Sequence, residues 1–214
     1  MESFMKLFMQ LMGGMGNTLW LFAVTLVFSL PLGLLLALGR MSKNRILSGI
    51  IRIYNLIIRG TPLMLQLIVV YIAPFNIVGF TWDRMTAAIV AFILNYAAYF
   101  SEIFRSGIES IPRGQYEAAK VLGLSKWVTN KSIILPQVVK RILPPMSSEF
   151  MTLVKDTALA STLSIVEMFT VAQNNAMRNF DLTPLYIAGI FYFAFNAIVE
   201  QLFHLAERKL DYYR

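Results

Sequence analysis

An all-α integral membrane fold with five transmembrane helices is what this sequence predicts, and three observations predict it. Of 214 residues, 57% are hydrophobic and 14% charged, with a mean hydropathy of +0.61; soluble domains sit near roughly 45–50% apolar and about 25% charged. Apolar runs with few or no charges recur at lengths near the roughly 20 residues that a helix needs to cross about 30 Å of hydrocarbon. Finally, 15 of the 19 Lys and Arg fall in segments that five crossings place on one side.

In chain order, Phe4, Leu7, Phe8, Leu11 and Met12 recur at helical spacing and then meet Gly13, Gly14 and Gly16, which predicts an interfacial amphipathic helix over 1–16. A single Lys6 and the lack of a small-residue cleavage site argue against a signal peptide. The first span runs from Thr18 to Gly39 and contains Pro31. The second covers Pro62 to Phe80, with Thr61 as N-cap and Pro62 at the first helical position. Met85 to Ser101 is the third span. A stretch of 31 residues between Arg141 and Gln173 would be about 46 Å long as one helix, too long for a straight crossing. It carries Glu149, Lys155 and Asp156, so the reading is a fourth span from Ile142, an interruption around Lys155 to Ser161, and a short second helix. Leu182 to Phe203, opened by Thr183 and Pro184, is the fifth.

The basic residues set the orientation. Five lie between Arg40 and Arg59, seven between Arg105 and Arg141, and Arg208, Lys209 and Arg214 end the chain. The N-terminus is therefore expected outside and the C-terminus in the cytoplasm of a multi-pass protein of the plasma or inner membrane. The net charge of +7 follows from that topology and gives no reason to invoke nucleic acid. Zero Cys and one His exclude thiolate sites and His-rich metal or proton-relay clusters. The chain has no Gly-Lys dipeptide and hence no G-x-x-x-x-G-K-[ST] phosphate loop. No internal repeat supports an inverted-repeat transporter.

The polar segment 106–132 has its own punctuation. Ser110 caps, Pro112 starts and Gly123 stops a short helix, and Ser125 caps the next segment. That helix presents Glu117, Ala118, Ala119, Val121 and Leu122: small side chains that let a partner approach, and one acid to pair. The plainer alternative is a solvated connecting helix.

Glu117-Ala118-Ala119, Gly123 and Ile133-Ile134-Leu135-Pro136 fit the spacing E-A-A, three residues, G, nine residues, I-x-L-P. Around them stand Arg59-Gly60-Thr61-Pro62-Leu63, Leu94-Asn95-Tyr96-Ala97-Ala98-Tyr99, Glu102-Ile103-Phe104-Arg105-Ser106-Gly107-Ile108, Ile111-Pro112-Arg113-Gly114-Gln115 and Lys155-Asp156-Thr157-Ala158-Leu159. In these residues the chain resembles the membrane subunits of type I ATP-binding-cassette importers, specifically the polar amino-acid uptake permeases for histidine, arginine, glutamine or glutamate. The resemblance runs from about Asn17 to Leu210; Ser148 and Ala158 depart from the family's usual Asn and Ser.

The resemblance implies one permease domain over 1–214, with 106–132 as the loop that couples to ATPases through Arg113, Glu117, Ala118, Ala119, Leu122 and Gly123. It implies pairing with a second copy or a sister permease, two cytoplasmic ATPase subunits that hold ATP and Mg, an extracytoplasmic amino-acid-binding protein, and membrane lipid. No cofactor and no enzymatic activity are expected of this chain.

Polar groups in hydrocarbon are costly, so each is a candidate for solute contact. Gln66 lies in the second span, Asn95 and Tyr99 share a face of the third, and Asp156, Thr157, Ser161, Thr162 and Ser164 crowd the interruption of the fourth. Backbone N–H groups at the new helix start, with Thr157 or Ser161, are expected to hold an α-carboxylate. Asp156, Asn95 or Tyr99 would take the ammonium or side chain. Unpaired acids there favour arginine, histidine or lysine. The alternatives are glutamine, glutamate or opine transport, a non-transporting scaffold, or a structural use in which Lys155 and Asp156 neutralise each other and the hydroxyls satisfy freed backbone groups.

Overall fold

A computed structural model describes residues 2–210, with side chains from residue 5 onward. Nine α-helices are present among the described residues: α1 Glu2–Arg40, α2 Arg45–Gly60, α3 Leu63–Val78, α4 Arg84–Glu109, α5 Arg113–Val121, α6 Lys126–Val128, α7 Leu135–Asp156, α8 Met168–Asn179 and α9 Thr183–Lys209. A π-helical stretch, Thr129–Ile134, leads into α7, and a 3₁₀ stretch, Thr157–Leu163, leaves it.

The long helix α1 lies along α4. Leu11, Thr18, Leu21, Thr25, Ser29 and Ala37, most of them three or four apart, form its buried seam. Small residues let helix backbones approach closely in a bilayer, where no hydrophobic drive acts between apolar helices. A Cβ on Gly33 would lie 2.8 Å from the Phe100 Cβ and 3.1 Å from the Ala97 carbonyl. Gly33→Val is therefore expected to cost about 1–3 kcal/mol through overpacking. Gly16→Val, where nothing lies within 4 Å, should leave the thermal unfolding midpoint in detergent unchanged. Equal midpoints for the two variants would contradict this packing.

The separate helix expected over 1–16 does not exist: α1 is continuous through Gly13, Gly14 and Gly16. Gly14 is used for close approach, since a Cβ there would meet the Met168 backbone N at 2.8 Å. This end of α1 packs on α8 and α9 around Leu11, Met168, Ala172 and Ala188.

Contacts along the bundle fix the helix directions. Gly33 of α1 meets Phe100 of α4, Phe150 of α7 meets Phe100 and Phe203, and Phe8 and Phe22 of α1 meet Phe191 and Phe195 of α9. Phe8 with Phe191 and Phe22 with Phe195 set α1 and α9 running the same way, and Gly107 with Ile142, Phe100 with Phe150 and Tyr96 with Asp156 set α7 antiparallel to α4. The main core gathers Ala88, Phe92, Tyr96 and Phe100 of α4 with Val138, Ile142, Met146 and Leu153 of α7.

Among the described residues three helices are long and apolar enough to cross a membrane, over Met5–Arg40, Arg84–Glu109 and Thr183–Lys209; the pair α2 and α3, bent by 113°, adds a fourth candidate if the two form one broken span. Helix α7 falls outside that test, and it carries Lys140, Arg141, Glu149, Lys155 and Asp156.

Several boundaries differ from those the sequence predicts. The segment after the first span is not a plain basic loop but the amphipathic helix α2, capped by the Asn44 Oδ1, which accepts from the N–H groups of Ile46 and Leu47. Thr61 does not cap α3; its hydroxyl donates to the Ile57 carbonyl at 2.8 Å, closing the end of α2 instead. Helix α4 runs on to Glu109, capped at its start by Asp83, whose carboxylate accepts from Thr86 N–H at 3.0 Å. Helix α7, where the fourth span was expected from Ile142, starts at Leu135. Its interruption is where the charge pattern placed it, and the second segment is α8.

Candidate functional site

Two regions carry the predicted site residues. The first is α5. Its N-cap is Pro112 and not Ser110, whose hydroxyl donates to the Gly107 carbonyl at 2.7 Å. Its C-terminus closes with Gly123 N–H on the Lys120 carbonyl and Leu124 N–H on the Ala119 carbonyl, both at 3.0 Å. That paired closure needs a left-handed residue, and Gly123 supplies it at φ +70°. Ser125 caps α6 as predicted, accepting from Val128 N–H at 3.3 Å.

Arg113, Glu117 and Ala118 are exposed on α5, and Leu122 just beyond it is 75% exposed. Glu117 makes no hydrogen bond or ion pair among the described residues. Ala119 departs from the expectation that both alanines face outward: at 2% exposure it is the buried residue of α5, which packs against the π-helical stretch Thr129–Ile134. The alanine pair is thus split, one side chain turned inward and the other presented beside a free carboxylate. Below the helix, Lys131 lies over the Trp127 ring at 4.4 Å.

The second region is the polar seam between α3, α4 and α7. Asn95 and Gln66 come together: the Asn95 amide donates to the Gln66 Oε1 at 2.9 Å, and the Gln66 Nε2 donates to the carbonyls of Ile58 and Thr61 at 2.7 and 3.1 Å. Both amides tie the 113° elbow to α4, because Gly60 and Thr61 break the helix and leave carbonyls that need donors. Tyr99 is reached by Arg59, whose guanidinium carbon lies 5.3 Å from the ring centroid. Asp156 is not unpaired; it accepts from the Tyr96 hydroxyl at 2.7 Å.

At the interruption, the Thr157 hydroxyl donates to the Val154 carbonyl and the Ser161 hydroxyl to the Ala158 carbonyl, at 2.6 and 2.7 Å. These bonds satisfy carbonyls that the change from α to 3₁₀ geometry releases, which is the structural use of both residues. Ser164 ends the 3₁₀ stretch at φ +58°, and Thr162 is half-buried beside it. The expected carboxylate site at the start of the next helix is already filled. Glu167, 1% exposed, accepts from Phe169 N–H at 2.7 Å, from Thr170 N–H at 2.6 Å and from the Thr170 and Tyr192 hydroxyls. The remaining first-turn donor, Met168 N–H, reaches the Thr18 hydroxyl at 3.3 Å. Glu167 is thus a buried cap, neither solvated nor, among the described residues, ion-paired.

Residues 29–212 match the family described as binding-protein-dependent transport system inner membrane component. The chain belongs to that family. This permease is 40% identical over 207 residues to the L-cystine transport system permease protein TcyB of Bacillus subtilis, covering 95% of this chain and 87% of that one. It is 37% identical over 198 residues to the arginine transport system permease protein ArtQ of the same organism, covering 92% and 90%. Among solved structures, an amino acid ABC transporter with histidines superposes at a TM-score of 0.87, with 30% identity and 97% of each chain covered. The MetNI methionine ABC transporter, at 18% identity and a TM-score of 0.71, shares the fold. The resemblance to polar amino-acid permeases read from the sequence is borne out, and ATP hydrolysis belongs to separate subunits.

Tyr96 escaped the sequence reading, because it and Asp156 stand 60 positions apart with nothing local to pair them. The Glu167 cap was not legible: the local signal is a Ser, Thr, Asp or Asn followed three residues later by Glu or Gln, and here the acid comes first and the hydroxyl three residues later.

Proposed function

We propose that this permease is the membrane-spanning half of an ATP-driven importer for polar amino acids, cationic ones foremost, with five crossings, the N-terminus outside and the C-terminus cytoplasmic. Two permease chains would pair, two ATPases would seat α5, and an extracytoplasmic binding protein would deliver the solute. The observation that carries the reading is α5 itself: Glu117 and Ala118 stand exposed on a helix closed by Gly123, with no packing or ionic partner of their own. Closure of the ATPase pair would move α5, and α4 and α7 on either side of it would transmit that motion as rocking between two states.

The solute region is proposed along the face of α7 that carries Glu149 and Asp156, seven residues apart and both half-buried, opposite Tyr96, whose ring lies 6.2 Å from that of Tyr99. Two acids on one helical face suit an ammonium or guanidinium side chain. Arginine transport by a relative is in keeping with this, while a cystine permease of similar identity shows that the scaffold accepts other polar amino acids. Arg59 beside Tyr99 supports the second reading, a solute with a side-chain carboxylate or amide.

Uptake in vesicles containing the assembled complex tests the seam. Asp156→Ala is expected to lower amino-acid uptake at least about tenfold, the order of one lost charge-assisted hydrogen bond of about 1.4 kcal/mol or more. Asn95→Ala is expected to lower it through the elbow that Asn95 holds. Wild-type uptake in both variants would remove the seam from the transport path.

A further inference from the structure

Away from α5 and the α7 interruption, a cavity of about 460 Å³ opens between the end of α1, α2 and α4. Arg40, Arg52 and Arg59 line it together with Glu102. Glu102 supplies no free counter-charge, because its carboxylate is held by Arg105 at 2.6 Å and by the Asn55 amide at 2.8 Å. Among the described residues none of the three cavity arginines makes an ion pair: Arg40 donates to the Ser48 hydroxyl, and Arg59 lies over the Tyr99 ring, where Glu102 and Glu149 bear on it electrostatically without reaching it. Three guanidinium groups share the cavity with one carboxylate that Arg105 and Asn55 already hold, which leaves an excess of positive charge, and an anion between them offsets it.

The surroundings say what kind of anion. Ile46, Ile50, Ile53 and Ile57 recur along α2 at helical spacing and are all exposed, and the exposed Met64, Leu65, Ile68 and Val69 continue the apolar surface onto α3. Arg45, Arg52 and Arg59, spaced by seven, run along the edge of that stripe. A helix with an apolar face and an arginine edge lies at a membrane surface and is drawn to anionic lipid. Free phosphate uses the cavity alone; an amphiphile uses both the cavity and the stripe.

We propose that this cavity binds the phosphodiester headgroup of an anionic phospholipid, whose acyl chains lie along α2 and α3. Guanidinium forks match phosphate oxygens two at a time. Because the elbow after Arg59 is tied to Asn95, such a lipid would brace α2 against α4 at the coupling end of the bundle.

The test uses the permease in its assembled complex, in nanodiscs of phosphatidylcholine doped with phosphatidylglycerol, with retained lipid read by native mass spectrometry. Phosphatidylglycerol is expected to be retained in preference to phosphatidylcholine. Arg40→Gln combined with Arg52→Gln should weaken that retention about 25-fold, at about fivefold per arginine near an anionic surface. The double lysine variant should keep most of it. Arg45→Gln, on the same helix but outside the cavity, should change it less than about twofold. Equal retention of both lipids, or unchanged retention in a double Gln variant that still elutes as the intact complex, would overturn the site. Displacement of the lipid by millimolar inorganic phosphate would overturn the lipid assignment.

Discussion

Glu117→Lys is expected to abolish amino-acid uptake in reconstituted vesicles while leaving the permease folded. Glu117 is exposed and makes no contact that stabilises its own chain, so the substitution costs the monomer little. At a docked interface the same change turns an attraction into a like-charge contact, and truncating or reversing a buried charge pair costs about 2–5 kcal/mol, or roughly 30-fold to several thousand-fold in affinity. Gly123→Asp should act through shape: any side chain at φ +70° strains the closure of α5 and turns the helix end that the partner meets. Both variants should lose the ATPase on purification, or retain it with ATP hydrolysis no longer stimulated by substrate. Normal recovery of the complex together with normal uptake would refute the docking role of α5.

Glu167→Ala is expected to be the most damaging single truncation in the bundle. The carboxylate accepts two backbone N–H groups, the Thr170 hydroxyl and the Tyr192 hydroxyl while almost wholly buried. Removing a helix N-cap costs about 0.5–2 kcal/mol, and each buried donor left unpaired adds about 1–3 kcal/mol. A loss of roughly 3–5 kcal/mol is expected, since the donors share one acceptor group and their costs do not add fully. Loss of monodisperse protein in detergent, or a strongly lowered unfolding midpoint, is the readout. Glu167→Gln should be intermediate, because it keeps one acceptor oxygen and turns an NH₂ toward backbone donors. A midpoint for Glu167→Ala equal to wild type would show that the cap does not hold α8 to the bundle.

Much of this was legible because a bilayer makes charge informative. The interruption after Asp156 was visible as charge that one crossing cannot carry, and the 3₁₀ stretch Thr157–Leu163 lies there. Helix α5 was visible because proline and glycine mark its ends by backbone geometry alone. Helix α2 was missed because the three arginines at and after its start were counted as topology signals, which hid the isoleucines at helical spacing between them. The continuity of α1 was missed because three glycines in four residues read as a break in water. In a packed bundle Gly14 serves the approach of Met168, and neighbouring helices and intrahelical hydrogen bonds keep the backbone satisfied.

The proposed solute residues were legible as costly polar groups but not in their use. Gln66 and Asn95 are spent on the elbow, Thr157 and Ser161 on local carbonyls, and the helix start beyond them on Glu167. A hydroxyl at a helix break bonds the nearest released carbonyl before it bonds a ligand, and nothing in the order of residues says which donors remain. Asp156 and Glu149 are left as the groups whose charge local hydrogen bonds do not account for fully.

The most direct measurement is ATP-dependent accumulation of a labelled cationic amino acid in vesicles containing the assembled complex, with unlabelled arginine, histidine, cystine and glutamine as competitors. Accumulation is expected to require ATP and the binding protein, and polar amino acids are expected to compete it away, the cationic ones most strongly. ATP-independent accumulation, or none of these amino acids competing, would contradict an importer of this class.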